Sequence, residues 1–194
     1  MKEYLDKIMG TICDSINRLD DQKLEQLVKD IVVTLENGKK VVMTGLGKNA
    51  PICKKAVGTM MSLGMESMFI QTNSAMHGDL GSIRNGDIVL VLSKSGETAE
   101  SIYLLEELKR RDITIWVLTY NSESTLAKSV DKSLIIEMDD EGDLWNLVPN
   151  NSTTLYLIIL QAVTIQAASR LGVTLEDFQK NHPGGGIGVK LNGN

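Results

Sequence analysis

Ile88-Val89-Leu90-Val91-Leu92 runs without a polar residue into Ser93-Lys94-Ser95-Gly96-Glu97-Thr98-Ala99-Glu100. Five apolar residues in a row, stopped by hydroxyls and a glycine, read as a strand buried on both faces that turns directly into a helix. The pattern recurs on either side. Val41–Thr44, Ser67–Ile70, Thr114–Leu118 and Ser133–Ile136 are further short apolar runs, and residues 50–63, 97–110 and roughly 123–129 read as helices between them. Buried strands alternating with helices form a parallel sheet wound by right-handed crossovers, and such sheets bind ligands beyond the carboxyl ends of their strands. The expected fold is therefore α/β, a three-layer α/β/α sandwich around a five-stranded parallel sheet.

Outside this core the chain reads as helical. Leu5, Ile8, Met9, Ile12 and Ile16, then Leu24, Leu27, Val28, Ile31 and Leu35, recur at helical spacing over residues 2–18 and 22–37. Asn37-Gly38 closes the second helix as a C-cap. Ser152–Leu171 and a short segment from Leu175 to about Lys180 read as helices again. The chain is expected to form one domain over residues 1–194: N-terminal helices over 1–37, an α/β core over 40–150, then C-terminal helices over 151–182 and a tail.

Composition narrows the function classes. A net charge of −5 removes any general electrostatic reason to bind nucleic acid. Cys13 and Cys53 show no pairing or metal-ligand spacing, which suits a reducing cytoplasm, with Cys53 read as core. The N-terminus has no signal-peptide core. The apolar stretch Leu155–Ala168 is interrupted by Gln161, Thr164 and Gln166 and is shorter than the ~20 residues of a membrane span, so it reads as a buried helix.

The carboxyl ends of the strands carry the chemistry. Gly45-Leu46-Gly47-Lys48-Asn49-Ala50 is a loose match to a dinucleotide fingerprint, but Gln71 stands where an acidic residue should end the next strand. A Walker loop is excluded by Val42 and Asn49. What survives is a tight turn carrying Lys48 to the sheet edge. After the third strand, Ser93, Ser95 and Thr98 surround Gly96 at a helix start, where free N–H groups and the helix dipole favour a phosphate. Ser95 also suits a helix N-cap with Thr98 three residues on, and the two readings are compatible. Glu100 falls one turn into that helix. Glu141 lies in the acidic run Asp139–Asp143, and Asn150-Asn151-Ser152-Thr153-Thr154 offers either a cap or a second polar wall. Both histidines, His77 and His182, sit in glycine-bearing turns, and imidazole moves protons near neutral pH.

Together these motifs resemble the sugar isomerase (SIS) domain family, whose fold is flavodoxin-like. The likeness runs from about Lys40 to Leu191. Ser93-x-Ser95-Gly96-x-Thr98 is the family's phosphosugar signature. Gly45-x-Gly47-Lys48, His77-Gly78-Asp79-Leu80-Gly81, Ser152-Thr153-Thr154 and His182-Pro183-Gly184-Gly185, in this order, resemble its arabinose-5-phosphate isomerase branch. The resemblance implies catalytic roles for Lys48, Glu100, Glu141 and His182. It also implies substrate contacts from Gly47, Asn49, His77, Ser93, Ser95, Thr98, Ser152 and Thr153. It further implies a cytoplasmic homotetramer with active sites shared between subunits, a phosphosugar substrate, and no cofactor, nucleic acid or membrane partner. The branch interconverts ribulose 5-phosphate and arabinose 5-phosphate, which feeds the eight-carbon acid sugar Kdo of lipopolysaccharide or capsule.

Several positions depart from the branch. The chain stops where longer members continue into paired CBS domains. Asn49 replaces a usual serine, the Glu141–Val148 loop carries Asp143, Trp145 and Asn146, and Gln71 replaces a histidine that can help hold a metal, so no metal site is expected. Isomerisation needs proton transfer between neighbouring carbons and a donor for the enediolate oxygen. The residues leave the carbon base open among Glu100, Glu141 and His182. Isomerases of hexulose 6-phosphate or sedoheptulose 7-phosphate, and a phosphosugar-binding regulator without turnover, are the alternatives.

Overall fold

A computed structural model describes residues 1–192. Its element order is α1 (Lys2–Asn17), α2 (Asp21–Glu36), β1 (Val41–Gly45), α3 (Asn49–Ser62), β2 (Ser67–Ile70), β3 (Ile88–Leu92), α4 (Ala99–Leu108), β4 (Thr114–Thr119), α5 (Thr125–Lys128), β5 (Ser133–Ile135), α6 (Asn151–Arg170), α7 (Leu175–Lys180) and α8 (Gly185–Asn192). Two short 3-10 turns, Ala75–His77 and Asp79–Ser82, lie between β2 and β3. The five strands are all parallel in the order β2-β1-β3-β4-β5, with Thr44 opposite Ile70, Gly45 opposite Leu92 and Leu92 opposite Leu118.

The apolar runs explain themselves once the layers are seen. Ile88, Leu90 and Leu92 point into one core with Val41, Met43, Trp116 and Leu118, covered by α1, α2, α3 and α6. Val89 and Val91 point into the other, with Val42, Val117, Leu104, Leu105 and Leu108, covered by α4 and α5. A strand facing two cores cannot alternate polar and apolar residues, because every Cβ enters an apolar layer. The three-layer sandwich expected from the sequence is present.

Three features differ from the expectation. The helix expected over 97–110 starts at Ala99, with Thr98 as N-cap and no side-chain cap, so Ser95 does not cap it. The segment after His182, expected as a tail, holds helix α8, although its three glycines are poor helix formers. Gly188 shows why glycine is used there: a Cβ would come within 2.8 Å of the His182 carbonyl. Helix α6 is 20 residues long, not shorter than a membrane span, and by length and composition alone it could cross one. Instead it packs on α1, α2 and α3, burying Leu155, Tyr156, Leu160, Val163 and Ala167.

Candidate active site

Strand β1 is flanked by β2 on one side and β3 on the other, so the chain leaves β1 first in one direction and later returns in the other. This is the switch point where a parallel sheet opens a crevice at its carboxyl edge. The turn after β1 brings Lys48 there as N-cap of α3, with Gly47 at φ 56° making the tight bend. Lys48 is exposed and has no ion-pair partner among the described residues. Asn49 begins α3, and its Nδ2 donates to the Leu92 carbonyl at 3.4 Å, bracing β1 against β3. Gly45 allows that closeness, since a Cβ would lie 2.9 Å from the Asn49 Cβ.

From β2 the backbone turns through Thr72, whose buried hydroxyl pairs with Thr44 at 2.8 Å. The first 3-10 turn ends at His77, and Gly78 follows at φ 123°, a conformation that side-chain-bearing residues avoid. His77 and Glu100, from opposite sides of the crevice, line one cleft of about 410 Å³ with Thr72, Asn73, Met76 and Tyr103. Two groups capable of proton transfer thus share one opening. Tyr103, more than half exposed, is a wall of this cleft that the sequence reading missed. Its position one turn after Glu100 on α4 is the only signal that points to it.

Beside the cleft lies the hydroxyl loop. The Ser93 Oγ accepts from the Gly96 N–H at 3.2 Å and the Ser95 Oγ accepts from the Glu97 N–H at 3.2 Å, which curls the loop. Gly96 sits at φ 65°, and a Cβ there would overlap the Ser124 side chain. The amides of Ala99 and Glu100, in the first turn of α4, find no acceptor among the described residues. Free amides, the positive end of a helix dipole and the uncommitted Thr98 hydroxyl are the donors an anion needs. The loop is held from behind by α5, where the Glu97 carboxylate accepts from the Thr125 N–H at 2.7 Å and the Thr125 Oγ1 at 2.8 Å.

Glu141 has a different setting. It is fully buried, and its two oxygens accept from four donors: the Lys94 ammonium and Ser152 Oγ, each at 2.5 Å, and the amides of Ser152 at 2.9 Å and Asn150 at 3.0 Å. Burial alone would push its pKa up, but Lys94, Ser152 and the two amides outweigh that and hold it below the usual carboxylate range. Glu141 therefore caps α6, whose N-cap residue Asn150 makes no side-chain cap of its own. The Ser152 hydroxyl is consumed by this bond, and the Thr153 hydroxyl turns back onto the Asn150 carbonyl at 2.9 Å. The cap reading of this segment is what the geometry displays.

His182 is not brought to the crevice of its own chain. The neighbouring Asn181 donates from Nδ2 to the Ser62 carbonyl at 3.3 Å, at the end of α3 opposite Lys48, roughly 20 Å along that helix. The His182 ring stacks on Phe178 with centroids 4.0 Å apart, and its Nδ1 lies 2.8 Å from the Phe178 carbonyl. Cys53 is buried under the Gly45 turn, and burial pushes its thiol up to about 12, so it is core and not a nucleophile.

Fold and crevice together define an α/β domain with a cleft at the carboxyl edge of its parallel sheet, and the chain belongs to the SIS domain family, whose model matches residues 34–166. It is 37% identical over 185 residues to the arabinose 5-phosphate isomerase KdsD of Pseudomonas aeruginosa, a match covering 95% of this chain and 57% of that protein. It is 40% identical over 152 residues to the KdsD of Yersinia pestis, covering 78% of this chain and 46% of that one. The chain thus spans about half the length of the curated relatives it matches. A protein of E. coli CFT073 solved in complex with arabinose 5-phosphate superposes with a TM-score of 0.86 at 31% identity, covering 94% of this chain and 95% of that one.

Proposed function

We propose that the protein is an aldose–ketose isomerase that interconverts D-ribulose 5-phosphate and D-arabinose 5-phosphate through an enediol, supplying Kdo synthesis for lipopolysaccharide or capsule. The observation that carries this reading is the shared cleft of His77 and Glu100 beside a loop of free amides and hydroxyls. The likeness to a protein solved with arabinose 5-phosphate, and to relatives named for this activity, supports the choice of sugar.

In this reading Ser93, Ser95, Thr98 and the first amides of α4 hold the phosphate, which fixes the sugar chain across the crevice. Glu100 and His77 reach the open-chain sugar from opposite walls, and Lys48 supplies positive charge where the enediolate oxygen develops. Glu100 and His182 are the candidates for moving the carbon-bound proton. Glu141 is not one of them, because four donors already occupy its oxygens and no face of it is open. His182 enters from a neighbouring subunit in an assembly with shared sites.

The test is a coupled assay of purified protein with ribulose 5-phosphate, with and without a strong chelator. Formation of arabinose 5-phosphate that survives chelation supports the reading. Turnover of a hexose or heptose phosphate, without pentose activity, assigns the chain to another isomerase branch.

A further inference from the structure

Lys94 lies within the hydroxyl loop, yet its ammonium pairs with Glu141. Its backbone is pinned to the end of β4: the Lys94 carbonyl accepts from the Tyr120 N–H at 3.1 Å and the Thr119 Oγ1 at 3.0 Å. From this fixed base the ammonium reaches Glu141 Oε1 at 2.5 Å. Lys94 is 41% exposed in its side chain and Glu141 is 0% exposed, so the pair has one wet and one dry member. The ammonium is the only charged partner Glu141 has among the described residues.

The bond spans the site. On one side it is continuous with Ser93, Ser95 and Gly96. On the other it is continuous with the Asn150 and Ser152 amides, hence with the first turn of α6. Tyr120 reinforces the same bridge, its hydroxyl donating to the Ser152 carbonyl at 2.8 Å and its ring standing edge-on to Tyr156 at 5.0 Å. A buried carboxylate deprived of its cation is strongly disfavoured, while the intact pair fixes geometry more than it adds stability.

We propose that Lys94 is a positioning residue of this site: its ammonium fixes Glu141, and through Glu141 the start of α6, against the anion loop. The kinetic part of this rests on the isomerase reading above. The groups facing Glu141 are Lys94 from the loop after β3, Tyr120 from the end of β4 and Tyr156 from α6. From α1, Lys7 pairs with the adjacent Asp140 at 2.6 Å and Tyr4 donates to the Gly142 carbonyl at 2.8 Å. Burial first, and the Glu141 charge with it, pushes both phenols, Tyr120 and Tyr156, up, so both stay neutral near neutral pH and neither competes with Glu141 for the Lys94 ammonium.

The experiment compares the whole wild-type protein with Lys94→Met and Lys94→Arg. The Glu141 side-chain carboxyl is followed by carbon NMR through an acid titration, and kcat and KM for ribulose 5-phosphate are measured against pH. In Lys94→Met the carboxyl should titrate at higher pH, kcat should fall about tenfold or more, and the acid limb of the profile should move up; Lys94→Arg should restore all three. A purely structural lysine would lower stability and leave the limb in place. A Glu141 titration unchanged in Lys94→Met overturns the proposal, as does an unmoved acid limb in an active enzyme. If wild type does not turn over ribulose 5-phosphate, the isomerase reading fails, and the carboxyl titration still decides the role of Lys94.

Discussion

The side-chain amide of Asn181 donates to the carbonyl of Ser62 across 3.3 Å, tying the end of α7 to the end of α3 that points away from Lys48. One residue further on, His182 is anchored to its own helix by Phe178. If the histidine works in the site, it works in another subunit's site. Inactive His182→Ala and inactive Glu100→Ala proteins, unfolded and refolded together, should then regain part of the activity, because some mixed sites carry both groups. Mixed oligomers that remain inactive would place His182 in its own subunit's site.

The hydroxyl loop makes a separate prediction. Ser93→Ala, Ser95→Ala and Thr98→Ala should each weaken arabinose 5-phosphate binding by about 0.5–1.5 kcal/mol, more where the bond is charge-assisted. Thr98 is the sharpest case, because its hydroxyl makes no cap bond in the protein and its loss should leave folding untouched. Titration calorimetry and thermal melts on the same three variants check both halves.

Two glycines of the site should differ in cost. Gly47→Ala places a side chain at φ 56° with open space around it, a backbone penalty of about 1–2 kcal/mol. Gly96→Ala meets the same penalty at φ 65° and also drives a Cβ into Ser124, so it should lose clearly more, about 3 kcal/mol. Denaturant unfolding of the pair measures the difference. Equal losses would mean that α5 moves aside freely.

Acid stability should carry the mark of Glu141. Its folded pKa lies below the ordinary value of 4.5, so the unfolded chain takes up the proton first. The stabilisation is therefore complete above about pH 4.5 and is lost as pH falls through the lower, folded value. Glu141→Gln should be less stable than wild type near neutral pH, by about 2–3 kcal/mol, and its stability should fall less steeply below pH 4.5. Urea midpoints of both proteins from pH 3 to 7 test this. Parallel curves would assign the acid sensitivity to Asp30 and Asp87, which are also held below their ordinary values.

A labelling experiment addresses the chemistry. Turnover in deuterium oxide should place deuterium on the product carbon if the base on the enediol exchanges with solvent. The open, exposed setting of Glu100 favours exchange. Complete retention of the original proton would instead point to a shielded base.

The sheet, its five strands and the loop after Leu92 were legible in the sequence because each is a local signal. An uninterrupted apolar run has one explanation when both faces are covered, and a hydroxyl-rich glycine turn before a helix has few. Lys48 and the Ser93–Thr98 loop stand out at strand ends, Glu100 one turn into the following helix, and His77 by its glycine-bearing turn. What no local pattern contained was partnership across the chain. Glu141 is one acid in an acidic run until tertiary structure delivers Lys94 and Ser152 to it and surrounds its buried carboxylate with donors. Helix α8 was invisible because its glycines argue against it, and close packing against the His182 carbonyl is what requires Gly188. The place of His182 was set by the Asn181–Ser62 bond at the far end of α3, since a residue's spacing in sequence carries no information about which end of a helix it finally meets.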